Sequence, residues 1–260
     1  MTSASAPVAV RAAGIGKLYQ IGAAPGTSTI YERAARMLGI GPKTPSLDEH
    51  PTVWALRDIS FEAVAGEVLG ILGRNGSGKT TLMKILARTT APTEGEAETN
   101  GRVAALLEVG TGFHPDLSGR DNIMLSGAIL GMSRDEIKAN HDAIVEFAEI
   151  GRFLDTAVKH YSSGMFLRLA FSVSIHLSAE IMLIDEILAV GDAAFQLKCQ
   201  ERIRQAVASG RTVVFVSHSL PTIEALCNRA IVLDGGRIRY SGGARDAIDY
   251  YTREILNIAA

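Results

Sequence analysis

Nowhere do the 260 residues hold an apolar run approaching the roughly 20 needed to cross a bilayer. A membrane-spanning helix is therefore excluded. The start, Met1 to Val10, lacks the basic opening and long apolar core of a secretion signal, which implies a soluble chain that stays in the cytoplasm. A surplus of basic residues is missing too. Lys and Arg number 26 against 28 Asp and Glu, a net charge of -2, which argues against nucleic acid as the main partner. Cysteine is scarce. Cys199 and Cys227 fall in segments read as helices, with no CxxC spacing and no nearby His, and are expected to be reduced, packed thiols without a role.

What is present centres on Gly73 Arg74 Asn75 Gly76 Ser77 Gly78 Lys79 Thr80, with Thr81 next. The apolar run Val68 to Leu72 precedes it and the helix-period pattern Leu82 to Leu86 follows. Strand, Gly-rich turn and helix are the context of a phosphate-binding P-loop. Successive N–H groups and the positive helix end can then wrap a polyphosphate. Lys79 is expected to reach the β- and γ-phosphates, and the Thr80 hydroxyl to ligate Mg²⁺. At this length the chain can bury a full α/β core but not two such domains in tandem, so one nucleotide site is expected.

Val8 to Ile15 alternates as a first strand, which Lys17 Leu18 Tyr19 ends. An excursion rich in Gly, Pro, Ser and Thr, Ile21 to Pro51, follows, either a surface loop or a docking element. Val53 to Phe61 and Glu67 to Leu72 read as strands paired with each other, and Val103 to Val109 as a later one. The long segment Gly110 to Asn122 reads as a functional loop. From Asn122 to His160 the period is helical, with Ser133 and Glu136 as a capping box and an apolar stripe through Ile137, Ile144 and Phe147. Leu167 to Leu177 continues as helix. Buried strands are then read at Glu180 to Glu186, ending in two carboxylates, at Thr212 to His218 and at Ala230 to Asp234. The expected fold is α/β: a P-loop NTPase (RecA-like) core with a mostly parallel sheet, a small antiparallel β region and an inserted helical subdomain. The single domain divides into a core of about 1–108 and 178–240, a helical subdomain of about 115–177, the excursion of about 21–52 and a C-terminal helix of about 243–257.

Ligands of open α/β sheets sit beyond the carboxyl ends of the strands, where polar residues of this chain collect. Asp185 closes an apolar run and is placed to hold Mg²⁺ directly or through water. Glu186 would face the γ-phosphate and activate the attacking water, and His218 would contact both.

These features, with Tyr161 Ser162 Ser163 Gly164 Met165 ahead of a helix and Asp192 soon after Asp185 Glu186, resemble over nearly the whole chain the ordered motifs of ATP-binding cassette (ABC) ATPases. The resemblance implies that Ser162, Ser163 and Gly164 complete the ATP site of a second copy in a head-to-tail homodimer, with Asp192 in the loop between the two sites. Read from residues alone, Ser162 to Gly164 is a helix N-cap. Tyr19 matches the family's adenine-stacking aromatic, with Trp54 as the rival. Where the family carries glutamine after the strand from Val103, this chain has Glu108, read as a ligand of Mg²⁺ or of water. Its signature also departs from Leu Ser Gly Gly Gln. Together with Gly110 to Asn122 and Ile187 to Cys199, these departures resemble the exporters of O-antigen, capsule and teichoic acid polysaccharides. That implies an ATPase at the cytoplasmic face of the membrane, peripheral through a separate permease subunit contacted by Gly110 to Asn122. Some relatives carry a C-terminal β-sandwich that recognises the end of the glycan; this chain stops after the helical stretch Arg245 to Ile255, so that module is either missing or has been cut away, and selection is then expected in the permease. The alternatives are a soluble ABC-type ATPase, which would need tandem cassettes or coiled coils, and a P-loop kinase, which would need a lid and acceptor site.

Overall fold

The computed structural model describes residues 6–21, 51–107, 110–185 and 192–257. The excursion from Ile21 to Pro51 therefore lies almost wholly outside the described residues, as do Glu108 and Glu186. The chain opens with β1 (Val8–Gln20), β2 (Thr52–Val64) and β3 (Val68–Leu72), then α1 (Lys79–Leu86), β4 (Glu94–Thr99) and β5 (Val103–Leu106). Helices α2 (Gly119–Ile129), α3 (Arg134–Ala148) and α4 (Ser163–Ile175) follow as a block. Strand β6 (Ile181–Asp185), α5 (Ala193–Ala208), β7 (Thr212–Val216), α6 (Leu220–Leu226), β8 (Arg229–Asp234), β9 (Arg237–Gly243) and α7 (Ala244–Tyr250) complete it, with a π-helical turn at Tyr251–Ile255.

The strands form two sheets. One is antiparallel, in the order β2-β1-β4, and the other runs β5-β6-β7-β3-β8-β9, parallel except for its last strand. All five residues of β3 are buried, as a strand covered on both faces requires. Leu69 and Ile71 join Leu56, Ile59 and the apolar face of α1 in the core between the sheets, while Val68 and Leu72 face a second core with α4, α5 and the helical block.

The expected pairing of the second and third strands does not occur. β2 alternates buried and exposed positions, so it has a wet face and pairs with β1, opposing Phe61 to Ala12. β3 has no wet face and sits between β7 and β8. Gly66, at φ 78°, redirects the chain from one sheet to the other. The first strand also runs on past Ile15 to Gln20, absorbing register shifts as it goes. The segment read as loop up to Asn122 is helical from Gly119, because Ser118 caps the helix by accepting from the Asp121 amide.

The capping box at Ser133 and Glu136 is complete in both directions, and Ile137, Ile144 and Ala148 are buried. Cys199 lies in α5, whereas Cys227 stands just past the end of α6; both are free, and burial pushes both thiols up to about 12. No helix among the described residues is long and apolar enough to cross a membrane.

Candidate functional site

Strand order decides what meets at the carboxyl edge. β6, β7 and β3 are adjacent, so Asp185, His218 and the loop from Gly73 emerge side by side. They surround a cavity of about 410 Å³ lined also by Asn75, Gly76, Gly78, Thr80, Thr81 and the apolar Ala55 and Leu107. The last two had no signal in the motif pattern, since an apolar residue at a rim reads as ordinary core.

The loop is held open from within. Lys79 is 6% exposed and donates from Nζ to the Gly73 carbonyl at 2.6 Å and the Arg74 carbonyl at 3.0 Å. Gly73 has no room for a side chain, because a Cβ there would meet the Leu233 carbonyl and Ser77 Oγ. Gly78, in the left-handed region at φ 105°, N-caps α1 without a side-chain hydrogen bond. The first amides of α1 therefore have no cap acceptor, which is the condition for receiving an anion.

Burial lowers the Lys79 ammonium from its ordinary value, partly offset by Asp185. Burial raises the Asp185 carboxyl, against the pull of Lys79 and a hydrogen bond from the Thr80 hydroxyl. His218 is lowered by burial and by the Lys79 charge, so the imidazole is neutral near pH 7. A carboxylate and a hydroxyl in contact are hard oxygen donors suited to a small divalent cation. No three His, Cys, Asp or Glu side chains converge as a metal cage among the described residues.

Ser162, Ser163, Gly164 and Asp192 are not in this cavity. Ser162 N-caps α4, accepting from the Met165 amide at 3.2 Å, and Ser163 and Gly164 begin the helix. Ser162, Gly164 and Asp192 line a separate recess of about 470 Å³ with Glu149, Met165 and Arg168. Among the described residues, none lines both. Asp192 caps α5 through the Phe195 amide at 2.9 Å and receives Arg168 at 2.7 Å. Arg168 also bonds Glu149, which Lys198 holds from the other side at 3.1 Å. This network escaped sequence reading; its one signal was a basic residue set among the apolar residues of the helix after the signature.

Tyr19 is 39% exposed near the end of β1, with Lys17 Nζ 5.3 Å from its ring centre, and does not line the cavity. Trp54 packs over Gly16 and carries Arg57 on its ring. Neither aromatic lines the cavity, although Ala55, next to Trp54, does.

A P-loop at the edge of a parallel sheet, with a carboxylate and an imidazole on adjoining strands and a helical block beside it, defines a nucleotide-binding α/β protein. The model of the ABC transporter family matches residues 56–189, and the chain belongs to that family. It is 46% identical over 207 residues to an O-antigen export system ATP-binding protein of Myxococcus xanthus, covering 80% of this chain and 47% of that one. It is 44% identical to a protein of the same description from Klebsiella pneumoniae, over 76% of this chain and 80% of the other. A teichoic acids export ATP-binding protein of Listeria monocytogenes is 41% identical, over 80% of this chain and 62% of its own. The chain thus spans about half to four fifths of these relatives. The fold is similar to that of a dimeric ATP-binding cassette in a post-hydrolysis state bound to ADP and Pi, at TM-score 0.71 and 20% identity, covering 91% of this chain and 99% of that one.

Proposed function

We propose that the chain is the ATP-hydrolysing subunit of an exporter of lipid-linked polysaccharide, working as a head-to-tail homodimer beneath a separate permease. The observation that carries the reading is the meeting of Lys79, Asp185 and His218 around one cavity at the ends of three adjacent strands. A phosphate chain entering that cavity offers Lys79 oxygens in exchange for the carbonyls of Gly73 and Arg74. Loop residues Gly73 to Thr81 supply amides and hydroxyls around it.

Thr80 and Asp185, with Glu108, would hold Mg²⁺, which supplies positive charge against the phosphate oxygens when bound. His218, neutral, can hydrogen-bond the γ-phosphate and the water beside it. In hydrolysis the water oxygen bonds to the γ-phosphorus, the bond to the bridging oxygen breaks, and ADP leaves with that electron pair. Glu186 accepts the water's proton.

One chain supplies only half of this site. Among the described residues, the recess of Ser162, Gly164 and Asp192 shares none with the P-loop cavity, which supports their acting on the nucleotide of a second copy. The exposed N-terminus of α4 would then face a γ-phosphate. The relatives' descriptions as O-antigen and teichoic acids export ATP-binding proteins support the polysaccharide class. In this reading the permease contacts the segment Gly110 to Asn122, which joins core and helical block, and the chain lies peripherally at the cytoplasmic face of the membrane. The division into core, helical subdomain, excursion and C-terminal helix follows the same reading, and Tyr19 is the proposed adenine platform.

Glu186→Gln is expected to abolish steady-state turnover and to accumulate an ATP-bound dimer on size exclusion. A variant that turns over normally would remove Glu186 from the chemistry. Co-purification with a candidate permease tests the transport role, and transfer of phosphate to an acceptor other than water would replace it with a kinase.

A further inference from the structure

The two aromatic residues that bracket Ser162 to Gly164 each rest on a glycine, one ahead of α2 and the other at its first position. On one side, the Phe166 ring lies against Gly110, where a Cβ would come within 2.7 Å of Cε1 and Cζ. Gly110 sits at φ 90°, so it is suited to glycine by backbone as well as by space. The same ring meets Phe113 edge-on, with centroids 5.2 Å apart. On the other side, the Tyr161 hydroxyl occupies the space a side chain at Gly119 would need, and donates to the Phe153 carbonyl at 2.7 Å.

The segment between these glycines is itself pinned. Asn122, fully buried, accepts from the His114 amide at 2.7 Å and donates to the carbonyls of His114, Leu117 and Ser118. A turn seated at both ends on a pinned segment cannot shift alone.

We propose that Tyr161 and Phe166 are positioning residues that fix the Ser162–Gly164 turn to residues 110–119, so that the helix end meets the partner copy's nucleotide in one orientation. This rests on the reading of Ser162 to Gly164 as a nucleotide contact. It accounts for one departure from the Leu Ser Gly Gly Gln pattern: Tyr161, in place of leucine, supplies the hydroxyl.

The test measures, in the full chain, ATP turnover at saturation, affinity for a fluorescent ATP analogue and thermal midpoint, for Phe166→Ala, Phe166→Leu and Ser162→Ala. Misplacement by about an ångström costs up to about a hundredfold in rate, so Phe166→Ala is expected to lose roughly tenfold to a hundredfold in turnover with analogue affinity unchanged. Phe166→Leu, which keeps apolar bulk against Gly110, is expected to retain most of it. If Phe166→Ala fails to fold, Tyr161→Leu serves in its place, with the same expectation. Parental turnover in the aromatic variants beside a defective Ser162→Ala would overturn the positioning role and leave the contact standing. Parental turnover in Ser162→Ala would overturn the contact and the inference with it. Parallel loss of turnover and analogue affinity would mark a structural role and also overturn it.

Discussion

The guanidinium of Arg168 donates to the Asp192 carboxylate across 2.7 Å, tying the helix that begins at Ser163 to the one that Asp192 caps. Its other nitrogen reaches Glu149 at 2.8 Å, and its plane lies 5.0 Å from the centre of the Phe195 ring. Three elements, α3, α4 and α5, therefore share one cation.

Removing that cation tests how much the tie contributes. Arg168→Ala loses the stacking on Phe195 and leaves two carboxylates without it, while Lys198 still holds Glu149. The expected loss is about 1–2 kcal/mol after discounting for solvent screening, or roughly 3–6 °C in thermal midpoint. A midpoint equal to the parent's would show that the pairs are screened to nothing.

Asp185 is expected to trade stability for function. A carboxyl whose folded-state pKa is raised binds its proton more tightly folded than unfolded. It therefore destabilises the fold at neutral pH, and the penalty fades as pH falls through the raised value. Asp185→Asn is expected to melt roughly 2 °C higher at pH 7 and to lose that margin in acid, measured by fluorimetry across pH. Turnover is expected to fall by about a hundredfold or more. An asparagine variant that melts lower at pH 7 would mean that the attraction of Lys79 outweighs burial.

Asn122 holds the segment before α2 through one buried amide with four hydrogen bonds. Asn122→Ala leaves the His114 amide without its acceptor, while the carbonyls of His114, Leu117 and Ser118 keep backbone donors, at a cost of about 1–3 kcal/mol, visible as a lowered urea midpoint. Hydrogen exchange at the His114 amide is expected to speed up. Unchanged exchange there would place the segment's order elsewhere.

Gly164 separates the needs of one chain from those of the dimer. A Cβ there would meet only Ser162 Oγ, at 3.9 Å, and alanine suits a helix better than glycine. Gly164→Ala is thus expected to keep the fold, with a gain of up to about 0.5 kcal/mol, and to keep nucleotide affinity. In the proposed dimer the added methyl would stand where the partner copy's γ-phosphate approaches, so turnover is expected to drop roughly tenfold. Full turnover in this variant would argue that no nucleotide comes near the start of α4.

Much of the cavity was legible before the fold was known, because a P-loop is a local device: glycines, a lysine and a helix start within eight residues impose their own geometry. The capping box at Ser133 and Glu136 was legible for the same reason, its partners being three residues apart. The pairing of β2 with β3 was misjudged because nearness in the chain was taken for nearness in the sheet. Alternation in β2 and continuous burial in β3 were the better guide to their separation. The start of α2 at Gly119 was missed because Gly and Pro in the preceding residues outweighed the cap at Ser118.

By itself, the sequence determined which residues offer the loop amides, carboxylate and imidazole for the proposed chemistry, where the capping box stands and which strand has the composition to lie buried on both faces. Those properties depend on neighbours a few residues away and on the period of apolar side chains. Only the tertiary structure decided that β7 lies between β6 and β3, so that Asp185, His218 and Lys79 converge. It alone decided that Arg168 bridges Glu149 and Asp192, and that Tyr161 and Phe166 settle on Gly119 and Gly110. An apolar or charged residue announces that it needs a partner; which partner it finds is set by how distant segments pack together.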